Sequence, residues 1–441
     1  MELKTLMKNA GLVGAGGAGF PSYAKLAEGA DTLLINGSEC EPLLYTDLAI
    51  LSNELPTVLV GAAALLDGTG IPRAILAVKA HTATRLSLSD GEELAPRITV
   101  KVLRDRYPVG DELGLIYETL GRSVRGGALP ISVGVIVYNV ETVYNLGGAV
   151  LGGKPVTEKW LTVGGETERA TVLRVPIGTR VSDLLSRLGI TVRDDQILID
   201  GGPSMGKPIR AATAVVTKTT KGILVIPRRS PAAVAKESSE RMAIARAETA
   251  CCGCSRCTDM CPRHLLGYPL EPHKMVRTAV QAATVNPVLV LSATLCCGCG
   301  VCETLACSQG ISPRAVINGY KALLAKEKIR YTGREDIHAR PERDWRTIPS
   351  GRWASALGVA SLDRMAEYGG VLSDFERVEI PLGRQIGLPS TPAVESGATV
   401  RRGDLIARAA EGLSVPQHAS IDGRVTLAGD KIIIDRIRYD V

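Results

Sequence analysis

Along the first 154 residues the apolar positions switch repeatedly between two periods. Leu3, Leu6, Met7 and Ala10 keep helical spacing. Short apolar runs then recur at 32–35, 74–78, 98–103 and 134–138, each leading into helical periodicity: 45–66, 82–94, the residues after Glu112, and 140–150. Strands alternating with helices imply a parallel α/β sheet whose ligand crevice lies at the strand ends. From 155 to 229 the pattern becomes short strands with a single helix, 181–188. Helical patterns over 231–250, 272–283 and 312–326 surround residues 251–307, and 331–374 turns polar and irregular with one short helix at 352–357, as a linker packed over the core would. The tail, 378–441, alternates short apolar runs with turns such as Glu395-Ser396-Gly397 and Ile421-Asp422-Gly423. The expected fold is multidomain α/β and α+β, divided 1–154, 155–230, 231–330, 331–374 and 375–441.

Composition changes this picture little. The 441 residues are 45% hydrophobic, ample for several packed cores, and 47 glycines against 2 phenylalanines point to many tight turns and close backbone approaches. A net charge of +6 with no basic run of five or more gives no case for nucleic acid. No charged-then-apolar leader opens the sequence, and no apolar run reaches the roughly 18 residues needed to span a bilayer. The expectation is a cytoplasmic protein in a reducing compartment with no membrane span.

The cysteines change it more. Ten of the 11 lie between Cys251 and Cys307. Cys251, Cys254, Cys257 and Cys261 follow an x2-x2-x3 spacing with Pro262 after the last; Cys296, Cys299 and Cys302 repeat it, with Cys307 four residues on. Disulfides do not suit a reducing compartment, and zinc sites use paired Cys-x2-Cys knuckles with a longer gap. The spacing resembles that of bacterial two-cluster ferredoxins, in which the fourth cysteine of each run ligates the other cluster. Carried over, this assigns Cys251, Cys254, Cys257 and Cys307 to one [4Fe-4S] centre and Cys296, Cys299, Cys302 and Cys261 to a second. Cys252 and Cys297 are then spare, buried small residues by default, although a shifted register using either stays open. His264, His273, Arg256 and Arg263 near the clusters read as surface or supporting groups.

Gly14, Gly16, Gly17 and Gly19 form a glycine-rich loop ending in Phe20-Pro21. A G-x-G-x-x-G pattern is present, but it comes after a helical segment where a dinucleotide fold needs a strand. Two readings stay open: amides that cradle a phosphate or a planar ring at the start of a helix opened by Pro21, or a tight turn with no ligand. Asn36, Glu39 and Glu41 stand at one strand end, where ligands or the cap of the following helix would use them and Asp47. Gly110, Asp111, Glu112 and Asn139 to Thr142 occupy corresponding junctions.

Taken together, Gly14-Ala15-Gly16-Gly17-Ala18-Gly19-Phe20-Pro21, Asn36-x2-Glu39-Cys40-Glu41-Pro42, Gly110-Asp111-Glu112 and Asn139-Val140-Glu141-Thr142 resemble the FMN- and NADH-binding flavoprotein subunit of respiratory complex I and the C subunit of the Rnf complex. With the cysteine insert and the tail, nearly the whole chain resembles the cobalamin reductases of propanediol-utilisation bacterial microcompartments. The resemblance implies an α/β flavin-binding domain, a β-grasp (SLBB-like) domain with its turn at Gly201–Gly206, a helical double [4Fe-4S] ferredoxin-like domain, and a C-terminal barrel-sandwich hybrid. In that tail no Met-Lys or Asp-Lys carrier hairpin is expected.

The same resemblance implies FMN against Gly14, Gly16, Gly17 and Gly19, with Lys25 reaching its phosphate or ring edge. Asn36, Glu39, Gly110, Asp111, Glu112, Asn139 and Thr142 would contact the flavin, and Phe20 and Glu41 would face the nicotinamide of NADH. Ala15 stands where complex I has an arginine, and Tyr138 where it has a second asparagine. The implied activity is electron transfer from NADH through FMN and two [4Fe-4S] clusters to cob(III)alamin or cob(II)alamin, with a corrinoid adenosyltransferase and microcompartment shell proteins as partners. An electron-relay or Rnf-like subunit serving a ferredoxin, flavodoxin or glycyl-radical activator is the alternative.

Overall fold

The computed structural model describes residues 2–281, 286–333 and 336–437. Helix α1 (Leu3–Asn9) leads through the glycine-rich turn to β1 (Thr32–Gly37), α2 (Thr46–Thr69), β2 (Ala74–Lys79), α3 (Ala80–Leu86), β3 (Glu93–Ala95), β4 (Ile98–Leu103), β5 (Arg106–Tyr107), α4 (Glu112–Leu120), β6 (Val135–Asn139) and α5 (Val140–Gly152). The first sheet has the order β3-β4-β2-β1-β6. Strand β1 pairs in parallel with β2 on one side and β6 on the other, placing Asn36 opposite Asn139. The direction of winding reverses between β1 and β6, and the crevice beyond their carboxyl ends is where such sheets bind ligands. Side chains alternate as the pleat requires: Leu33 and Ile35 join the core with α2 and α5, while Leu34 joins that of α4.

Helices α2 and α5 meet through glycines. A Cβ on Gly61 would lie 2.1 Å from the Val143 carbonyl oxygen, and one on Gly147 2.0 Å from that of Thr57. The α2 helix kinks at Glu54, two residues before Pro56, whose ring cannot donate the amide an unbroken helix needs there. With a mean hydropathy of 1.6 it is long and apolar enough, by length and composition, to cross a membrane, against the expectation that no such run exists. Here it packs against α5 and the sheet. The helix expected over 82–94 stops at Leu86, where Ser87 turns left-handed (φ 55°), and β3 folds back antiparallel on β4.

The second sheet has the order β10-β9-β11-β7-β8-β13, built from β7 (Glu158–Gly165), β8 (Thr171–Pro176), α6 (Val181–Arg187), β9 (Gln196–Asp200), β10 (Lys207–Ile209) and β11 (Gly222–Pro227). A hairpin and a helix precede β9 and β11, with β11 parallel to β7 and antiparallel to β9. The cysteine region comprises α7 (Pro231–Glu237), α8 (Glu240–Ala250), α9 (Arg256–Asp259), α10 (Pro262–Leu265), α11 (Pro272–Gln281), α12 (Pro287–Leu291) and α13 (Pro313–Lys326). The last two residues of the helix expected over 272–283 lie outside the described residues, as do 438–441 of the tail.

Residues 331–374 are more than a linker. Strand β12 (Ile348–Pro349) pairs with β5, α14 (Ser350–Ala356) buries Trp353 stacked 4.5 Å from Tyr107, and β13 (Glu367–Val371) adds a parallel strand to β8. This stretch therefore ties the first domain to the second sheet. The tail forms two small sheets from β14 (Arg377–Pro381), β15 (Thr391–Pro392), β16 (Thr399–Val400), β17 (Leu405–Arg408), β18 (Gln417–His418), β19 (Gly423–Ala428) and β20 (Lys431–Arg436), closed on Val378, Ile380, Ile406, Val425 and Ile434. An Asp430-Lys431 pair does stand at the β19–β20 hairpin, contrary to the sequence expectation. Lys431 Nζ is engaged by Glu379 Oε2 at 2.5 Å on the neighbouring strand.

Candidate functional site

The glycine-rich loop closes on itself. The Gly14 amide donates to the Phe20 carbonyl at 2.8 Å and the Gly19 amide to the Gly14 carbonyl at 3.1 Å, and the loop leaves α1 rather than a strand. After Pro21 comes a single 3-10 turn, Ser22–Lys25, too short to offer the expected helix N-terminus. The Ala15 amide donates to Thr142 Oγ1 at 3.0 Å, which carries the loop over the start of α5. A Cβ on Gly16 would touch the Asn139 side chain at 3.4 Å, whereas one on Gly17 (φ 111°) would meet nothing within 4 Å. The loop thus hugs the β6 end and leaves open space at Gly17.

Most of the expected flavin contacts are spent on one another. Asn36 Nδ2 donates to the Gly110 carbonyl at 3.0 Å and Asn36 Oδ1 accepts from the Ser38 amide at 3.0 Å. Asn139 caps α5 by accepting from the Glu141 amide at 3.1 Å, and its Nδ2 donates to Asp47 Oδ2 at 3.2 Å. Lys25 Nζ pairs with Glu112 at 2.9 Å and donates to the Val137 carbonyl at 3.0 Å, 5.9 Å above the Tyr138 ring. A Cβ on Gly110 would lie 2.6 Å from the Ser38 carbonyl oxygen. Phe20 is half-buried at the loop's end.

Two residues are drawn away from the crevice. Glu41 accepts from the amides of Ser204 (2.9 Å) and Met205 (2.7 Å), so it caps the Gly201–Gly206 turn of the second domain. Burial raises its carboxyl's pKa, those amides working against the rise. Asp111 caps α4 and pairs with Arg263 of the cysteine region at 2.6 Å. Arg263, expected at the surface, is buried. Burial opposes its charge, and Asp111 and Cys297 hold it protonated.

Beneath the crevice lies a buried charge group built on two lysines, Lys159 and Lys221, that the sequence patterns did not single out. Lys221 reaches from the second domain to pair with Asp47, with Glu141 at 3.6 Å and Glu39 Oε1 at 3.9 Å. Lys159 pairs with Glu141 and donates to the Ala15 carbonyl at 3.1 Å. Burial first, and Asp47 second, push the Glu39 carboxyl up to about 8, so it keeps its proton at neutral pH. Asp47 and Glu141 then face Lys221 and Lys159; burial lowers the Lys159 pKa and Glu141 works against the fall. The signal for these lysines was in the sequence: each sits in an otherwise apolar strand run, Trp160-Leu161 and Gly222-Ile223-Leu224.

The crevice has features that suit a planar, polar-edged group. Glu39 Oε1, two residues beyond β1, is buried with no hydrogen-bond partner, and the loop leaves open space at Gly17. A buried carboxyl that accepts the Asp47 amide at Oε2 and leaves Oε1 unpartnered suits the polar edge of a flavin ring, and the open space at Gly17 suits its face.

The cysteines ring two separate cavities. Cys251, Cys254, Cys257 and Cys307 line one, with Cys252 and His273; Cys261, Cys296, Cys299 and Cys302 line the other, with Cys297 and Arg263. Among the described residues no three such side chains converge closely enough for a single metal ion. Thiols spaced around a hollow fit a cluster whose iron atoms stand apart at its corners. Gly253, Gly298 and Gly300 take φ of 68°, 76° and 79°, which turns the loops inward, and the Gly298 amide donates to Cys296 Sγ at 3.3 Å. Burial, then Cys307 and the other thiols, push Cys257 up to about 12; burial and Cys297 push Cys296 up to about 11. Such thiols stay protonated until a metal displaces the proton. Cys252 is exposed, unlike its expected burial. His264 Nδ1 contacts the Leu270 carbonyl at 3.1 Å and His273 Nδ1 contacts Thr258 Oγ1 at 2.7 Å.

The two cavities differ in their walls. Cys299 and Cys302 are buried, and the Tyr107 hydroxyl of the first domain donates to the Cys299 carbonyl at 2.7 Å. Arg314 donates to the Gly298 carbonyl at 3.0 Å and to the Ser204 carbonyl at 2.8 Å, and pairs with Glu303 at 2.5 Å. The other cavity leaves Cys252 and Cys254 exposed.

Comparison with known proteins matches three families. The Nuo51 FMN-binding domain covers residues 7–147, a 4Fe-4S dicluster domain 250–312, and the RnfC barrel sandwich hybrid domain 371–434. The cobalamin reductase PduS of Salmonella typhimurium is 37% identical over 439 residues, 98% of this chain and 96% of the relative. That of Citrobacter freundii is 37% identical over 429 residues, 96% and 94%. The C subunit of the Na(+)-translocating ferredoxin:NAD(+) oxidoreductase complex of Acetobacterium woodii is 31% identical over 271 residues, 60% of this chain and 58% of the relative. Among solved structures, NAD+-reducing [NiFe]-hydrogenase in the H2-reduced state aligns with a TM-score of 0.45 and 18% identity over 76% of this chain and 63% of that one.

Proposed function

The chain belongs to the cobalamin reductase family, and from that premise we propose that this oxidoreductase carries electrons from NADH through FMN and two [4Fe-4S] clusters to cob(III)alamin or cob(II)alamin. FMN held in the crevice would supply hydride acceptance and single-electron release, and clusters held by the two cysteine quartets would supply the one-electron relay. The observation that carries the reading is the division of eight cysteines into two quartets around two cavities, one of them walled by the flavin domain.

The chain's own residues then take definite tasks. Gly16 and Gly17 give the ring a surface without side chains, Lys25 and Glu112 stand at the crevice rim, and Glu39 has its Oε1 unpartnered for a contact to the ring edge. Gly14, Gly19, Asn36, Gly110, Asn139 and Thr142 hold the crevice in shape through the backbone contacts above. Phe20, at the loop end, covers the nicotinamide side, while Glu41 acts through the Gly201–Gly206 turn. Cys261, Cys296, Cys299 and Cys302 hold the inner cluster, and Cys251, Cys254, Cys257 and Cys307 the outer. Arg263, bound to Asp111 on one side and beside Cys297 on the other, joins the flavin domain to the inner quartet. Domain boundaries near 154, 230 and 375 fit this division. The hairpin, helix and strand order of the second sheet supports its reading as a β-grasp module. Encapsulation in a microcompartment alongside an adenosyltransferase accords with the family.

The test is anaerobic reconstitution, then addition of NADH and cob(III)alamin, with flavin, iron and sulfide counted per chain. The expected result is one FMN, about eight irons, and the spectral change of cobalt reduction. Flavin reduction without cobalt reduction would sink the acceptor while sparing the electron path.

A further inference from the structure

Three arginines stand beside the loops that line the exposed cysteine cavity. Arg277 Nη1 lies 3.1 Å from where a Cβ on Gly253 would stand, Arg246 Nη1 donates to the Gly310 carbonyl at 2.6 Å, and Arg256 adjoins Cys257. All three are exposed, and none has a carboxylate partner among the described residues. The nearby acids do not offset them. Asp259 is taken by Ser255 Oγ at 3.1 Å and Arg346 at 3.6 Å, and Glu248 stands two residues from Arg246 on α8, a separation that puts the two on different faces of the helix. The inner quartet's guanidiniums, by contrast, are neutralised: Arg263 by Asp111 and Arg314 by Glu303.

We propose that this face is the docking surface for a protein that bears the electron acceptor inside an acidic rim. The inference rests on the reading that Cys251, Cys254, Cys257 and Cys307 hold a cluster. Unpaired cations around the one exposed cysteine cavity attract an anionic partner over long range and orient its redox group toward Cys252 and Cys254. In each encounter one electron leaves the reduced cluster and enters the partner's oxidised group, oxidising the first and reducing the second by one electron, with no bond made. A small corrinoid free in solution has no need of such a rim.

The test uses an oxidised flavodoxin as the acidic protein probe and hydroxocob(III)alamin as the free small acceptor. Full-length reconstituted protein, reduced with dithionite, is mixed with each in stopped flow from about 50 to about 500 mM salt, and flavodoxin binding is measured by calorimetry. We expect R246E/R256E/R277E to slow flavodoxin reduction and weaken its binding at least ~10-fold at low salt, while hydroxocobalamin reduction changes less than ~2-fold. Flavodoxin binding and reduction that ignore the triple substitution overturn the proposal, as does an equal slowing of both acceptors. If the triple variant loses iron, the Arg→Gln triple replaces it, with the same expectations. Arginine-dependent binding by a protein that assembles no cluster at this quartet would sink the cluster reading and leave the docking face standing.

Discussion

The cavity closed by Cys261 and the cavity closed by Cys307 are ringed by the same side chain and differ in everything around it. The first is walled by Tyr107 of the flavin domain and by buried pairs, Arg263 with Asp111 and Arg314 with Glu303; the second opens to solvent at Cys252 and Cys254 beneath unpaired arginines. The ligands therefore do not assign the direction of electron flow. In the proposed path the walls do, since burial and neighbouring charge set a cluster's potential and its access to partners. In that path the group that comes first in the sequence would stand at the outlet, and the second next to the flavin domain, whose Tyr107 it meets.

The strongest way to break the contrast is to disable the inner quartet. Cys302→Ser should drop iron from about eight to about four per chain, erase the inner EPR signal and cut acceptor reduction more than ~100-fold, read by iron assay, EPR and turnover. Cys307→Ser should cost as much iron yet leave the inner signal and NADH-driven flavin reduction in place, with acceptor reduction down ~10-fold or more. Loss of the inner signal instead would reverse the cross-ligation. Arg263→Met strands Asp111 in the boundary without its partner and should cost about 3–5 kcal/mol in denaturant unfolding, whereas exposed Arg256→Met should stay within about 0.5 kcal/mol.

The pH dependence isolates the buried charges on the inner side. Glu39 titrates near 8 in the fold against an ordinary 4.5. Between those values the native chain keeps a proton that the unfolded chain has released, so this group's contribution to stability falls as pH rises and is lost above about 8. Glu39→Gln should flatten that decline in unfolding midpoints compared at about pH 5 and about pH 8. The smallest effect expected is that of Cys252→Ser, which should change iron content and turnover less than ~2-fold, since Cys252 lies outside the quartet. A loss of iron there would favour the shifted register.

Local chemistry made much of this legible. The period-2 and period-3.6 runs located all four long strands of the first sheet within a residue or two, because apolar alternation is set by which face meets a core. Gly91, where a helix was expected to continue, was misread because one glycine weighs little against a periodic run. Residues 331–374 looked like a linker because two-residue β12 and the glycine-rich β13 bury few side chains of their own; they are held by pairing with β5 and β8, far away in sequence. The partners of Arg263 and Glu41 were not legible for a related reason. Each is satisfied by a partner in another domain, 152 and 163 residues away.

The sequence by itself determined the alternation of elements, the glycine loop and the two cysteine runs. These are matters of spacing, and spacing survives without a fold. Which cavity faces the flavin crevice, which faces solvent, and which carboxyl keeps its proton were decided by the tertiary structure alone. Desolvation and charge pairing depend on neighbours brought together from distant segments: Lys221 beside Asp47, Asp111 beside Arg263 and Tyr107 above Cys299.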